Sequence, residues 1–120
     1  EVSKITKNKV LIYEQDSALS YLLKSVCELN SIDVKAVFDI QEFKEIYAIF
    51  KPDVVVLDWG YNNQNEILNI AHKISKDNIK LIFSSSFLNK KEILKSGADL
   101  YLPKPYEIDD IMSWIKKFLS

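Results

Sequence analysis

Four apolar runs in this sequence end on polar side chains suited to chemistry. "KVLIYEQD" runs into Glu14, Gln15 and Asp16, and "DVVVLDWG" runs into Asp58. "KLIFSSS" ends on Ser84, Ser85 and Ser86, and "DLYLPKP" carries Lys104. Carboxylates, a hydroxyl and an ammonium brought to one edge would suit phosphoryl transfer. Carboxylate and carbonyl oxygens hold a magnesium ion, which keeps several waters and bridges to phosphate oxygens. A hydroxyl and an ammonium can hydrogen-bond the remaining phosphoryl oxygens as charge shifts in the transition state. A carboxylate seated at a strand end can itself be the nucleophile and form an acyl phosphate. Whether these groups meet depends on the elements that carry them.

Val10 to Tyr13 form a short apolar run that reads as a buried strand. Asp16 or Ser17 can cap the following helix, in which Leu19, Leu22, Leu23 and Val26 recur as one core-facing stripe. Ile32, Val34, Ala36 and Phe38 alternate as a second strand, and Asp39 caps a helix carrying Phe43, Ile46, Tyr47 and Phe50. Pro52 ends that helix, and the continuously apolar Val54–Leu57 is a third strand. A polar loop leads to a helix with Ile67, Ile70, Ala71 and Ile74 on one face. The strand "KLIFSSS" comes next, then a helix through Ile93 and Leu94 that stops at Gly97, a common C-terminal cap. "DLYLPKP" supplies a fifth strand, and the last helix, from Glu107, buries Ile108, Ile111, Ile115 and Phe118. Strands alternating with helices in this way predict a parallel α/β sheet covered on both faces. Function in such a sheet collects at the carboxyl ends of the strands, near the point where strand order reverses.

The 120 residues are enough for one domain with a real core, and 48% hydrophobic with 28% charged residues reads as globular. The formal charge of −1, without a basic run, offers no nucleic-acid surface. No apolar stretch is long enough to span a bilayer, and no signal-peptide pattern opens the chain. Cys27 stands alone, which rules out an internal disulfide and fits a reducing cytoplasm. It borders an apolar helix stripe and reads as core. His72 lies among Asn and Lys and reads as solvated, so no zinc pattern or Cys–His pair is present.

In order along the chain, these stretches resemble a response-regulator receiver domain, the CheY-like module of two-component signalling. The resemblance covers about residues 9–119 of a single domain. "KVLIYEQDS" resembles the family's first strand and acidic cluster, and "KPDVVVLDWG" the stretch ending in the phosphorylated aspartate, which puts that role on Asp58. "KLIFSSSF" is similar to the strand ending in the switch hydroxyl, which falls on Ser84, with Ser85 open as the other choice. "KSGADLYLPKPY" carries the family's Gly-Ala, its switch aromatic as Tyr101 and its Lys-Pro pair as Lys104–Pro105, a bond usually cis in the family. The resemblance implies a doubly wound (βα)5 sheet of order 2-1-3-4-5 and a magnesium site at Glu14, Gln15, Asp58 and the Gly60 carbonyl. It implies a sensor histidine kinase or phosphotransfer protein as phosphodonor. It also implies an output domain or partner docking on the last helix, the Tyr101 strand and the helix through Ile93, in a cytoplasmic protein that is not an enzyme. Because the chain opens on Glu1 and carries no output domain, it is expected to be a stand-alone receiver or a piece of a larger protein.

The chain departs from the family in three places. Gln15 replaces the aspartate that usually binds magnesium, so metal affinity should fall; "WGYNNQNE" lacks the usual Met-Pro; and the span from Ser84 to Gly97 is short. A pseudo-receiver, docking without phosphorylation, is therefore the alternative function. A phosphatase with an aspartyl nucleophile would carry a second aspartate where Gly60 stands, and a flavodoxin-like protein would not place acids in its phosphate loop. Plainer readings stand beside the functional ones. Asp16 could be only a helix cap, Lys104 only a surface charge, and Tyr101 only a packed aromatic.

Overall fold

The computed structural model describes residues 7–60, 62–86 and 90–120, with the backbone alone for Lys90, Glu92 and Leu94. Its elements run β1 (Lys9–Tyr13), α1 (Ser17–Leu29), β2 (Asp33–Val37), α2 (Ile40–Phe50), β3 (Val54–Trp59) and α3 (Gln64–Lys76). β4 (Lys80–Ser85), α4 (Lys90–Lys95), β5 (Leu100–Pro103) and α5 (Ile108–Leu119) complete the chain. The strands form one parallel sheet in the order β2-β1-β3-β4-β5. The doubly wound α/β expectation holds, and the order reverses between β1 and β3.

Strand alternation sorts the core into two layers. Val10, Ile12, Val54, Val56 and Ile82 meet Leu23 and Cys27 of α1 and Ile111, Met112 and Ile115 of α5. Leu11, Tyr13, Val55, Leu57 and Phe83 meet α2 and α3 on the other face, together with Ile93 of α4. Val54–Leu57 are at most 1% exposed, as a strand covered on both faces requires. Each such side chain stabilises the fold by about 1.5–3 kcal/mol relative to exposure.

Asp16 is the α1 cap, accepting from the Leu19 N–H at 3.1 Å, and Asp39 caps α2 from the Glu42 N–H at 3.0 Å. Two core expectations are corrected. Leu22 is 44% exposed, because α1 turns Ser20, Leu23 and Cys27 toward the sheet and leaves Leu22 a quarter-turn away. Phe38 is 51% exposed because β2 ends at Val37, so the alternation stops before it. Cys27 is buried with its thiol 3.9 Å from the Met112 sulfur, and His72 is exposed, both as read. Phe87, Leu88 and Asn89, in the short span after Ser84, lie outside the described residues, as does the Leu94 side chain.

Gly97 follows α4 with φ of +91°, and a Cβ there would stand 2.8 Å from the Ser75 Cβ of α3. A left-handed backbone and a close helix both demand glycine. Gly97→Ala should therefore cost at least ~1–2 kcal/mol, the usual cost of left-handed backbone for an L-residue. Gly60→Ala, whose Cβ would meet only the flexible end of Gln15 at 3.2 Å, should cost less. Urea unfolding of the two variants measures the difference, and equal midpoints would remove Gly97 from this role.

Candidate functional site

The parity of the strands places the polar side chains. Val10, Ile12, Val54, Val56 and Ile82 face α1 and α5, as do Leu100 and Leu102. Continuing each strand by two residues carries Glu14, Asp58, Ser84 and Lys104 out along that face, at the carboxyl edge. Asp58 and Ser84 are themselves paired in register across β3 and β4. Ser85 is paired instead with Trp59, whose ring lies in the opposite layer against Phe83. Ser84 is thus the hydroxyl on the Asp58 side. The Lys104 backbone N–H donates to the Ser85 carbonyl at 2.9 Å, which fixes where its side chain starts, and the Lys104–Pro105 bond is cis.

Lys104 joins two carboxylates. Its ammonium donates to Asp58 Oδ1 at 3.0 Å and to Glu14 Oε2 at 2.9 Å, with Glu14 Oε1 also 2.8 Å away. The second Asp58 oxygen, Oδ2, accepts the Gln15 backbone N–H at 3.2 Å, and Glu14 Oε2 accepts the Asp16 N–H at 2.9 Å. Glu14 is 1% exposed and Asp58 7%, so these are charges withdrawn from water, and the Lys104 side chain keeps only 17% exposure. Burial pushes the Glu14 pKa up; the Lys104 and Asp16 hydrogen bonds oppose that, and the Asp58 charge adds to it. For Lys104, burial acts downward, but its bonds to Glu14 and Asp58 outweigh it and hold the ammonium above its ordinary value of 10.5. The Ser84 hydroxyl is fully buried and has no hydrogen-bond partner among the described residues.

Glu14, Asp58 and Lys104 line a cleft of about 520 Å³ that also touches Gln15, Asp16, Gly60 and Ser86. Asp16 lines it while serving as the α1 cap. Tyr101 is half-buried against the α2–α3 layer. Two participants escaped the sequence reading. The Tyr106 hydroxyl is buried without a partner among the described residues, and burial together with the Glu14, Asp58 and Asp16 charges raises its pKa. Tyr106 packs with the α1–α5 layer, a position set by the turn after β5 that no strand alternation could have indicated. The other is Gln64, whose side-chain amide donates to the Gly60 carbonyl at 2.9 Å, and no pattern in the sequence announces it.

The oxygen donors here are the Glu14 and Asp58 carboxylates, the Gly60 carbonyl and the Gln15 amide oxygen, which stands 3.2 Å from where a Gly60 Cβ would lie. Among the described residues no cluster of three or more His, Cys, Asp or Glu gathers as a metal centre. Hard oxygens with two carboxylates still suit magnesium, which takes one or two carboxylates and keeps waters. The donor set fits, with low charge.

No protein-family model matches the chain. The receiver domain of a Francisella response regulator is 31% identical over 93% of this chain and 96% of that one, with a TM-score of 0.77. The chain is a response-regulator receiver domain. A Thermotoga maritima response regulator superposes with a TM-score of 0.80 at 22% identity, covering 94% of this receiver and 98% of that chain, which supports the CheY-like fold. The transcriptional regulatory protein KdpE of Staphylococcus aureus is 26% identical over 113 residues, 92% of this receiver and 49% of that protein. The virulence transcriptional regulatory protein PhoP of Salmonella choleraesuis is 28% identical over 109 residues, 88% of this receiver and 49% of that protein. The receiver spans about half the length of these curated relatives. Receiver domains of this family act as phosphoacceptor switches in two-component signalling and not as catalytic enzymes. Among the described residues no helix is long and apolar enough to cross a membrane.

Lys104→Met should lower the unfolding free energy at pH 7 by about 1.5–3 kcal/mol, the usual worth of hydrogen bonds to charged groups. Because the folded-state pKa of Lys104 is raised, its contribution is complete below 10.5 and fades as pH rises through the raised value. The gap between the urea midpoints of the two proteins should close over that alkaline range. A gap that stays constant there would exclude the ammonium as its source.

Proposed function

We propose that Asp58 is the phosphoacceptor of this receiver, with Ser84 and Lys104 as the groups that take the phosphoryl oxygens. One observation carries the reading: the Ser84 hydroxyl, fully buried and without a hydrogen-bond partner among the described residues, stands in register beside Asp58, which also holds the Lys104 ammonium. A buried donor without a partner is costly, and a phosphoryl oxygen on Asp58 would supply the missing acceptor. The Asp58 carboxylate attacks the phosphorus of a phosphohistidine on a sensor kinase or phosphotransfer protein. The P–N bond breaks, and the imidazole keeps the electron pair and takes a proton. Lys104 then exchanges part of its carboxylate pairing for a phosphoryl oxygen.

Glu14, Asp58 and the Gly60 carbonyl, with the Gln15 amide oxygen, would hold magnesium, which when bound neutralises phosphoryl charge. Gln15 is neutral where a carboxylate would add charge, so the metal site is weak. Pulling Ser84 toward a phosphoryl group draws the end of β4 inward and biases Tyr101 toward burial. The switched surface is the face of α4, β5 and α5, where an output domain or partner protein docks. Transcription control, named for KdpE and PhoP, would be exerted by such a partner in the cytoplasm and not by nucleic-acid contacts of this domain.

Intact mass after acetyl phosphate with magnesium should show one added phosphoryl group, absent from Asp58→Asn. Modification that survived the substitution would sink the assignment, and an unmodified wild-type protein would favour the phosphorylation-independent docking module. In the same protein, beryllofluoride should shift NMR signals of α4, β5 and α5; shifts confined to the surroundings of Asp58 would remove the coupling.

Gln15→Asp should tighten magnesium at least ~10-fold by calorimetry. Unit charges 4 Å apart interact by about 1 kcal/mol in water and about 4 at an effective dielectric of 20, while tenfold needs about 1.4. Equal affinities would mean that Gln15 does not face the metal.

A further inference from the structure

Gly60 is held from two sides by glutamines. Gln15 Oε1 approaches to 3.2 Å from the position a Cβ would take, and the Gln64 amide donates to the Gly60 carbonyl at 2.9 Å. Gly60 precedes α3, which starts at Gln64, so this carbonyl is outside the helix and is not an acceptor in its backbone ladder. The α3 cap residue, Asn63, makes no side-chain capping bond, and the Gln64–Gly60 contact is a side-chain tie between the β3 exit and the helix start.

We infer that Gln64 competes with the divalent cation for the Gly60 carbonyl and so sets the metal affinity of the phosphoacceptor site. The inference rests on the reading of Glu14, Asp58 and Gly60 as the magnesium site. A carbonyl oxygen has two lone pairs, and Gln64 takes one of them. More important, its NH2 group carries partial positive charge and stands against the oxygen a cation would approach. For that oxygen to turn fully to a cation, the Gln64 side chain must swing out. Gln64 is only half-buried, so its amide can pass to water, and the lost bond is a neutral one. The net worth of such a bond converts to roughly 3- to 10-fold in affinity. The site is thus weakened twice: Gln15 supplies a neutral oxygen, and Gln64 covers an oxygen already there. Because Gln64 is the first residue of α3, metal entry is also coupled to the start of that helix.

The chain has two glycines, so glycine-selective 15N labelling yields two amide signals, Gly60 and Gly97. Titrating magnesium chloride into unphosphorylated wild type, Gln64→Ala, Gln64→Met and Gln15→Asp while following the Gly60 signal tests the inference. Gln64→Met keeps the side-chain length and helix propensity but cannot donate. Both Gln64 variants should bind magnesium roughly 3- to 10-fold tighter than wild type. In a separate, uniformly 15N-labelled wild-type sample, the Gln64 side-chain amide signals should move toward solvent values as metal is added. Unchanged constants in the Gln64 variants, with tighter binding in Gln15→Asp, would overturn the role of Gln64 and leave the metal site standing. A Gly60 signal that magnesium moves in none of the four proteins would overturn the metal site itself, and the inference with it.

Discussion

The ammonium of Lys104 joins two carboxylates whose side chains are almost wholly buried at the end of a parallel sheet. Glu14 and Asp58 are both withdrawn from water, and Lys104 reaches each at about hydrogen-bond distance. Without that cation two buried like charges would face one another, and one would have to take up a proton. The pairing ties residues separated by 46 and 90 positions, so it forms only when β1, β3 and β5 are in place. Its stability and its chemistry are therefore the same interaction. A group added to Asp58 would meet the Lys104 ammonium, which lies just beyond the end of β5.

The opposite edge of the sheet shows why this pocket is unusual within the molecule. There Asp53 accepts the backbone N–H groups of Asn8 and Lys9 at 2.9 and 3.0 Å, and Asp99 accepts that of Leu81 at 2.8 Å. Those acids fasten the starts of strands, with backbone amides as partners. At the carboxyl edge Asp58 and Glu14 each accept one backbone amide, from Gln15 and Asp16, and share the Lys104 ammonium as well. The two edges thus separate acids that fasten strand starts from a pair joined by a lysine. That pairing also explains why a continuously buried strand can end on Asp58 without loss: the charge is met at the edge, by a side chain just beyond another strand.

The glutamines at the same edge act in a different way. Gln15 contributes its backbone N–H to Asp58 while its side-chain oxygen stands near Gly60, and Gln64 covers the Gly60 carbonyl. Neutral amides can satisfy oxygen atoms and limit crowding of negative charge without adding a second cation. The result is a pocket in which Lys104 offsets part of the charge of two carboxylates, and whose remaining oxygens are partly claimed by the protein itself.

The order of elements, the parallel sheet and the two-sided burial of Val54–Leu57 were legible in the sequence, because apolar runs and caps are local signals. Asp58, the serines of β4 and Lys104 were legible too as polar groups at the ends of such runs. Leu22 and Phe38 were misplaced because helix rotation and strand length are set by what packs against them: α1 turns Ser20 and Cys27 inward, and β2 stops at Val37. Only the tertiary structure could distinguish Ser84 from Ser85, since that depends on register with Asp58 across β3 and β4. Only it brought Gln64 to the Gly60 carbonyl and the Tyr106 hydroxyl to the acids. Residue type and spacing determine which groups reach the edge of a sheet. Which of them touch is decided by pairing register and by the path of the loops, which no local pattern encodes.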